Sequence, residues 1–446
     1  MNKFTKITIG AALAFCSAMC AGTAAENGRV PVIAGDEDHA PVWETREERD
    51  ARMKWWRDAK FGMFIHYGLY SGLGGLWRGV PGGTEWIQKN VEVDTETYRK
   101  ETLPRLKPRA KIAKEWADLA KEAGCRYAVF TTKHHEGFAM FDSAETDYDS
   151  QEKYGRDFAR EFVDAFRGNG MRVGFYHSVI DWAHPKYDYT ICPDLCYPKR
   201  QIAWRKGVSG REIDHAVYLD YLKNQVRELL TNYGKIDVVW WDYSQGAASG
   251  KRGWDAPALI ELCRKLQPGI IMNNRLYAYS GFDKNTDVKL DLRCGDTMTP
   301  EKHVPAKGYP DTDWETCMTV GDKWGFNRFD TKFKSVETVV RQLQEYAAKG
   351  GNLLLNIGPR ADGSVPEGVV KVFRGVGKWL RVNGEAIYGT RPYFGFEGVL
   401  ATQSEDGKNI YVFLPPAGTP LPDGLPAGKI LGGNADALCP VLKLEI

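Results

Sequence analysis

Six short apolar runs in this sequence are each followed directly by polar side chains that can carry protons or bind hydroxyl groups. These side chains are His66, Lys133 with His134 and His135, Tyr176 with His177, Asp242, Asn273 with Asn274 and Arg275, and Asn356 with Arg360. One polar residue in such a place is routine, because it caps a helix or makes a turn. Six runs with such side chains at their ends predict one shared site.

Asp242 is the strongest candidate for chemistry, since it follows the buried-type run VVWW at residues 238–241. A carboxylate there either caps the next helix or attacks the anomeric carbon of a sugar as a nucleophile. The second carboxylate of a glycosidase would be Glu301 or Glu315, both in the long irregular segment before the last apolar run. Trp and Tyr number 14 and 21, and their flat faces suit sugar C–H faces.

Metal-dependent chemistry is disfavoured by the spacing of the histidines. A metal-dependent barrel hydrolase needs an HxH pair on its first strand, but His66 stands alone there. His134 and His135 are adjacent, so a regular strand would point them to opposite sides. No CxxC pair has zinc spacing. We therefore predict neither a metal nor a cofactor.

The elements that position these residues follow one repeated pattern, in which apolar residues at helical spacing lead through glycine into a β-branched or aromatic run. The runs begin at residues 127, 172, 236, 270 and 352. An opening strand at residues 61–67 and two irregular strands between residues 285 and 320 would make eight. Without a GxGxxG after the first strand, the pattern favours a (β/α)8 TIM-like barrel over a doubly wound sheet. Functional residues then belong at the carboxyl ends of the strands.

The two ends of the chain differ from this pattern. Residues 1–25 read as a signal peptide, with Lys3 and Lys6 before an apolar stretch and small residues after it. We expect a secreted or periplasmic protein with a barrel over residues 26–390 and a short β-domain over 391–446. A lipoprotein attached through Cys20 is the alternative. No later segment is apolar enough to predict a membrane span.

Charge and cysteine content limit the possible partners. The formal charge of +2 argues against a nucleic-acid partner, which requires a basic excess. Nine cysteines, two of them in the signal, leave an odd number, so they cannot all pair within one chain. Cys192 and Cys196 are close enough for a local disulfide, and two buried free thiols are the alternative.

Four longer motifs make the sequence recognisable. They are FGMFIHYGLYS at residues 61–71, YAVFTTKHHEGF at 127–138, GFYHS at 174–178 with Asp181 and Trp182, and GNLLLNIGPRADG at 351–363. Together they resemble glycoside hydrolase family 29, the α-L-fucosidases, which are retaining enzymes with a (β/α) barrel and a C-terminal β-domain. The resemblance implies a fucosylated oligosaccharide or glycoconjugate as the substrate.

The resemblance also implies roles for single residues. Asp242 matches the nucleophile, and Glu301, in GDTMTPE, matches the acid/base of one branch, whereas Glu315 matches an element that we interpret as structural. The positions that match the fucose-binding residues are His66, Glu85, Trp86, His134, His135, Tyr176, Trp240 and Arg275, with Trp324 facing the fucose methyl group. The same branch carries Gly-Gly-x-Trp, as residues 74–77 do, and prefers α-1,3/1,4-linked fucose. Another barrel glycosidase and an inactive fucose-binding protein are the alternative interpretations.

Overall fold

A computed structural model describes residues 29–33, 42–188, 213–242, 253–276, 295–304, 306–309, 312–416, 419, 425–434 and 438–446. Its centre is a curled parallel sheet with seven strands in this part of the chain. They are β1 (Phe61–Ile65), β2 (Tyr127–Lys133), β3 (Arg172–Ser178), β4 (Val238–Asp242), β5 (Ile271–Met272), β6 (Glu315–Thr319) and β7 (Asn352–Ile357). Their order is β6-β7-β1-β2-β3-β4-β5. The predicted barrel is confirmed.

Helices cover the outside of the sheet. They are α1 (Arg46–Ala59), α2 (Ile112–Ala123), α3 (Phe158–Gly168), α4 (His215–Thr231), α5 (Ala256–Leu266), α6 (Val336–Ala348) and α7 (Glu367–Asn383). In α2 the apolar residues recur every three or four positions and are buried against the strands, as the sequence pattern predicts. The helix ends at Gly124, whose left-handed backbone (φ 86°) suits a residue without a Cβ atom. The chain then turns directly into β2.

The eighth position of the barrel is filled without a regular strand. The sequence predicts two irregular strands between residues 285 and 320. The described part of this stretch contains one strand, β6, and residues 277–294 lie outside the described part. The segment 297–301 makes only isolated parallel bridges, from Thr297 to Asn273 on one side, and from Met298 to Trp314 and Glu301 to Cys317 on the other. Pro300 within it has no N–H to donate, so an uninterrupted ladder cannot form. The segment still joins the two edges of the sheet.

The lower end of the barrel, where the strands begin, is closed by α1 and a buried ionic cluster. Met53 and Trp56 of α1 pack with the inward side chains of the strands. Asp296, 1% exposed, contacts Arg49 at 3.2 Å, Arg52 at 2.8 Å and Arg264 at 2.6 Å. Burial alone raises the pKa of Asp296, but the guanidinium groups of Arg264, Arg52 and Arg49 outweigh it and hold that pKa far below its usual value. The cluster anchors the start of the segment that bridges the sheet edges.

A second, antiparallel sheet forms the C-terminal end. Its strands are β8 (Thr390–Pro392), β9 (Leu400–Ser404), β10 (Asn409–Phe413), β11 (Lys429–Ile430) and β12 (Val441–Glu445), in the order β8-β9-β10-β12-β11. Tyr411, Phe413 and Val441 join the main core, and Ile410 and Val412 pack on the other face. Because side chains alternate along a strand, both faces of this sheet are apolar. The predicted small β-domain is thus one five-stranded sheet.

Several sequence-based expectations fall outside the described residues, including the signal at residues 1–25 and the Cys192–Cys196 pair. Within the described part, Cys125, Cys263, Cys317 and Cys439 are buried free thiols. None of the described helices combines the length and apolar character needed to cross a bilayer.

Candidate active site

Asp242 ends β4, at the carboxyl end of the barrel, and both of its carboxylate oxygens receive hydrogen bonds. Arg275 donates from Nη1 to Oδ1 at 2.8 Å, and the Tyr176 hydroxyl donates to Oδ2 at 2.7 Å. Nε2 of His135 lies 3.8 Å from Oδ2. The guanidinium and the phenol complement a negative charge and fix the direction in which the carboxylate points.

Arg275 also holds Glu301 close to Asp242. Its Nη2 donates to Oε2 of Glu301 at 3.1 Å, and its Nε donates to Oγ1 of Thr299 at 3.0 Å. The guanidinium lies 4.5 Å from the Trp240 ring centroid, so the indole forms the floor beneath it. Asp242 and Glu301, which come from β4 and from the bridging segment, therefore contact one guanidinium.

Glu315, the other carboxylate considered from the sequence, lies at the opposite end of the barrel interior. It is the first residue of β6 and is 3% exposed. The Tyr127 hydroxyl donates to Oε2, and Nε1 of Trp240 donates to Oε1 at 3.2 Å. Burial raises the pKa of Glu315 to about 7, against the effect of these donors. By contrast, the side chains of Asp242 and Glu301 are 14% and 15% exposed and open toward solvent.

Three histidines line the site, and burial keeps them neutral at neutral pH. Burial lowers the pKa of His66 to about 4 and that of His135 to about 3, and it lowers the pKa of His134 well below the usual value. Nδ1 of His135 contacts Oγ of Ser178 at 2.6 Å. Neutral imidazoles can both donate to and accept from hydroxyl groups, as a polyol requires.

The tautomer of His66 follows from its neighbour Asn356. Nδ2 of Asn356 donates to the backbone carbonyl of Trp324 at 2.6 Å, so its Oδ1 must face Nδ1 of His66, 2.7 Å away. That oxygen can only accept, and Nδ1 therefore carries the proton. Nε2 of His66 is left as a hydrogen-bond acceptor for a ligand.

The prediction that His134 and His135 point to opposite sides is wrong. β2 ends at Lys133, before both histidines, and its pairing with β3 is shifted between Thr131 and Lys133. Such an irregularity re-aims the side chains that follow it. Ligand atoms of His134, His135 and Asp242 consequently lie within 4.8 Å of one another. Their surroundings suit a neutral polyol better than a divalent cation, because the cationic Arg275 already contacts Asp242.

Aromatic rings form the walls. Trp324 stacks on His66 with 5.2 Å between centroids, and Trp86 meets His135 edge-on at 4.9 Å. Both tryptophans are only partly buried, whereas Tyr176 and Trp240 are almost fully buried. Glu85 accepts a hydrogen bond from the Gly325 N–H at 3.1 Å, which places it beside the loop that carries Trp324. Asp242, Glu301 and the nine residues matched to fucose binding thus form one contiguous group around a common depression.

Some residues at strand ends stay outside this depression, and some residues in it were not predicted. His177 and Lys133 face the helix layer, where they contact Thr132 and Gln225 at 3.0 Å, and Arg360 lies over Phe326. Thr299 and Trp182, which contact Arg275 and Trp86, were not predicted as site residues. Asn356, which the sequence placed at a strand end, and Ser178, at the end of β3, contact His66 and His135. The alternation of side chains along a strand could have separated Tyr176 from His177.

Comparison with known proteins identifies the chain. The family model described as alpha-L-fucosidase matches residues 32–385. The chain belongs to the α-L-fucosidase family of glycoside hydrolases. It is 30% identical to human plasma α-L-fucosidase over 369 residues, which cover 79% of this chain and 72% of that protein.

Solved fucosidase structures share the fold over most of the chain. The isoenzyme 1 structure from Paenibacillus thiaminolyticus is 36% identical, has a TM-score of 0.76, and covers 89% of this chain and 95% of its own. A Bacteroides thetaiotaomicron fucosidase, solved as a trapped covalent intermediate with a glutamate-to-glutamine mutant, is 28% identical with a TM-score of 0.71. It covers 89% of this chain and 93% of its own.

The buried position of Glu315 predicts a measurable pH dependence of stability. Its folded pKa of about 7 exceeds the ordinary 4.5, so between these values the folded state holds a proton that the unfolded state has lost. The free energy of unfolding then decreases as pH rises through this window, by up to ~3 kcal/mol from this one group. Glu315→Gln should flatten the decrease, measured by urea unfolding at pH 5, 6 and 7.

The exposed residue Glu397 provides the control, because Glu397→Gln makes the same chemical change at the surface and should leave the slope unaltered. Some slope remains in Glu315→Gln, since burial also raises the pKa of Glu136 to about 7. A Glu315→Gln slope equal to that of the unsubstituted protein would contradict the assignment.

Proposed function

We propose that this chain is a retaining exo-α-L-fucosidase in which Asp242 is the nucleophile and Glu301 is the acid/base. The observation that carries the proposal is the Arg275 guanidinium, which contacts both carboxylates at the functional end of the barrel. The related fucosidase from Bacteroides thetaiotaomicron was trapped as a covalent intermediate, which is the species that a retaining mechanism forms.

Each step can be assigned to an atom. An Asp242 oxygen attacks C1 of the fucose, and the bond between C1 and the leaving oxygen breaks while Glu301 gives that oxygen its proton. Glu301 then removes a proton from water, the water oxygen bonds to C1, and the ester to Asp242 breaks. Two inversions at C1 give net retention. Arg275 and Tyr176 hold Asp242 on the line of attack, which reduces the entropy cost of reaching the transition state.

The remaining residues suit substrate binding. Nε2 of His66 is an acceptor, and His134 and His135 offer neutral ring nitrogens to the sugar hydroxyls. Trp324 presents an apolar face to the fucose methyl group. Glu301 is favoured over Glu315 because it is partly exposed and shares Arg275 with Asp242, whereas Glu315 is enclosed by Tyr127 and Trp240.

Substitution of the two carboxylates tests the mechanism. Asp242→Asn removes the nucleophile and should lower kcat by at least ~10³-fold, with an unchanged melting temperature. Glu301→Ala should lose most turnover and regain it with sodium azide, which attacks the fucosyl-enzyme without a base and yields fucosyl azide of retained configuration.

Glu315→Ala and Glu315→Gln serve as the matched controls for the acid/base. Neither should respond to azide, because Glu315 does not face the leaving group. Azide rescue of Glu315→Ala alone would transfer the acid/base role to Glu315, and near-normal turnover of Asp242→Asn would refute the nucleophile.

We further propose a preference for α-1,3/1,4-linked fucose on branched acceptors. The support is the resemblance of residues 74–77 and 299–301 to the corresponding segments of that branch. The first segment borders the site, since Arg328, in the loop that carries Trp324, donates its backbone N–H to the Gly74 carbonyl at 3.1 Å and its Nη2 to the Leu73 carbonyl at 3.2 Å.

Fucose release from a panel of substrates tests the linkage. We expect kcat/KM for a branched Lewis-type trisaccharide to exceed that for an α-1,2-linked disaccharide and for an aryl fucoside by at least ~10-fold, the usual net effect of one hydrogen bond. Equal or faster release from the unbranched substrates would contradict the preference but leave the fucosidase activity in place.

We also propose that the enzyme is exported to the periplasm or the medium, on the basis of the signal-like residues 1–25. Cell fractionation and N-terminal sequencing of the mature protein should find it outside the cytoplasm, with a new N-terminus near residue 26. A lipid-modified Cys20 at the mature N-terminus would show a membrane-anchored form instead, and a full-length cytoplasmic protein would contradict export.

A further inference from the structure

Lys302 stands beside the proposed acid/base in a restrained backbone conformation. Its φ of 56° lies in the left-handed region, which residues other than glycine seldom adopt. The neighbouring contacts enforce it: Glu301 bridges to Cys317 of β6, and the Lys302 N–H donates to the Cys317 carbonyl at 3.0 Å. Backbone strain of this kind is commonly found where a side chain must point in one direction for function.

The Lys302 side chain reaches across the mouth of the depression. Nζ donates to the backbone carbonyl of Asp322 at 2.7 Å and lies 5.0 Å from the centroid of the Trp324 ring. Its positive charge also acts on the interior, where, after burial, it is among the causes that lower the pKa of His66. The ammonium group is therefore at the entrance, close to the proposed fucose position.

This ammonium group is not neutralised by a carboxylate. Across the described ranges, no Asp or Glu oxygen lies within 4.0 Å of Nζ. An ammonium has three N–H donors, of which Asp322 takes one. Arg275 differs, because its guanidinium is already shared by Asp242 and Glu301. Within the described part of the chain, Lys302 is thus a cation that remains available to a ligand at this edge.

The identity of that ligand follows from the position of Glu301. An acid/base must touch the glycosidic oxygen, from which the acceptor sugar extends outward through the entrance. A cation at that entrance, beside Trp324, is therefore placed to meet the acceptor. We infer that Lys302 binds an oxyanion carried by the acceptor glycan, and that acidic fucosylated glycans, bearing a sulfate ester or a carboxylate, are the preferred substrates. The inference rests on the proposed function of the same site.

A competing explanation is that Lys302 only ties the loop carrying Trp324 to the segment carrying Glu301. That role would affect neutral and acidic substrates alike. An oxyanion contact would affect only the acidic ones, so the ratio of kcat/KM for acidic over neutral substrate separates the two explanations.

The experiment compares three substrates: a neutral Lewis-type trisaccharide, the same trisaccharide with a 6-sulfate on its N-acetylglucosamine, and its sialylated form. The enzymes are the unsubstituted protein, Lys302→Met, Lys302→Arg and Lys307→Met. Lys307 is an exposed lysine next to Gly308, near the amino end of β7, so its replacement removes one charge far from the site. A melting curve checks that each variant folds, with Lys302→Gln as the substitute for a misfolded Lys302→Met.

We expect at least one acidic substrate to show a ratio above one in the unsubstituted enzyme, lowered at least ~5-fold in Lys302→Met and retained in Lys302→Arg and Lys307→Met. The preference should weaken as salt is raised toward 1 M, since an exposed ion contact is screened. The sulfated and sialylated substrates distinguish the two sources of the oxyanion.

Equal ratios in the unsubstituted enzyme and Lys302→Met would overturn the inference, as would ratios below one for both acidic substrates. In either case, normal hydrolysis of the neutral trisaccharide would leave the proposed function standing. No fucose release from the three substrates, with release from an aryl fucoside, would overturn the inference and leave the fucosidase activity in place. No release from any of these four substrates would overturn both.

Discussion

The contact of one guanidinium with two carboxylates is the constraint on which the site depends. Arg275 leaves β5, Asp242 leaves β4, and Glu301 comes from the segment that closes the sheet, so all three elements must end at one height. Removal of either carboxylate would leave the buried guanidinium with one anionic partner in place of two. The barrel register and the active-site geometry are therefore coupled through this group.

The lower end of the barrel supports that arrangement. Asp296 is held by Arg49, Arg52 and Arg264, and five residues of roughly extended chain, about 17 Å at the usual rise, then lead to Glu301. Since isolated bridges replace a full ladder in this segment, the ionic cluster sets where it begins. Cys317, through its bridge to Glu301, sets where it ends.

Burial determines the protonation states of the titratable side chains in two layers of the barrel interior, one at the site and one beneath it. It keeps His66, His134 and His135 neutral, which suits hydroxyl groups, and it favours the protonated form of Glu315 deeper in the interior. Trp240 separates the two layers, with Arg275 against its face and Glu315 accepting from its Nε1. Two carboxylates of the same chemistry, Glu301 and Glu315, thus occupy different environments.

The sequence by itself determined the barrel and the C-terminal β-domain, and it predicted Asp242, Glu301 and Arg275, which contact one another. The succession of helices and strands along the chain, and the strand ends, follow from hydrophobic periodicity and glycine caps, which are local properties of the chain. Tertiary structure decided what depends on distance between segments. It turned His134 and His135 to one side because β2 ends early, and it closed the barrel with a bridging segment because Pro300 cannot join a ladder. It also separated Glu301 from Glu315, since their environments are made by residues that are remote in sequence.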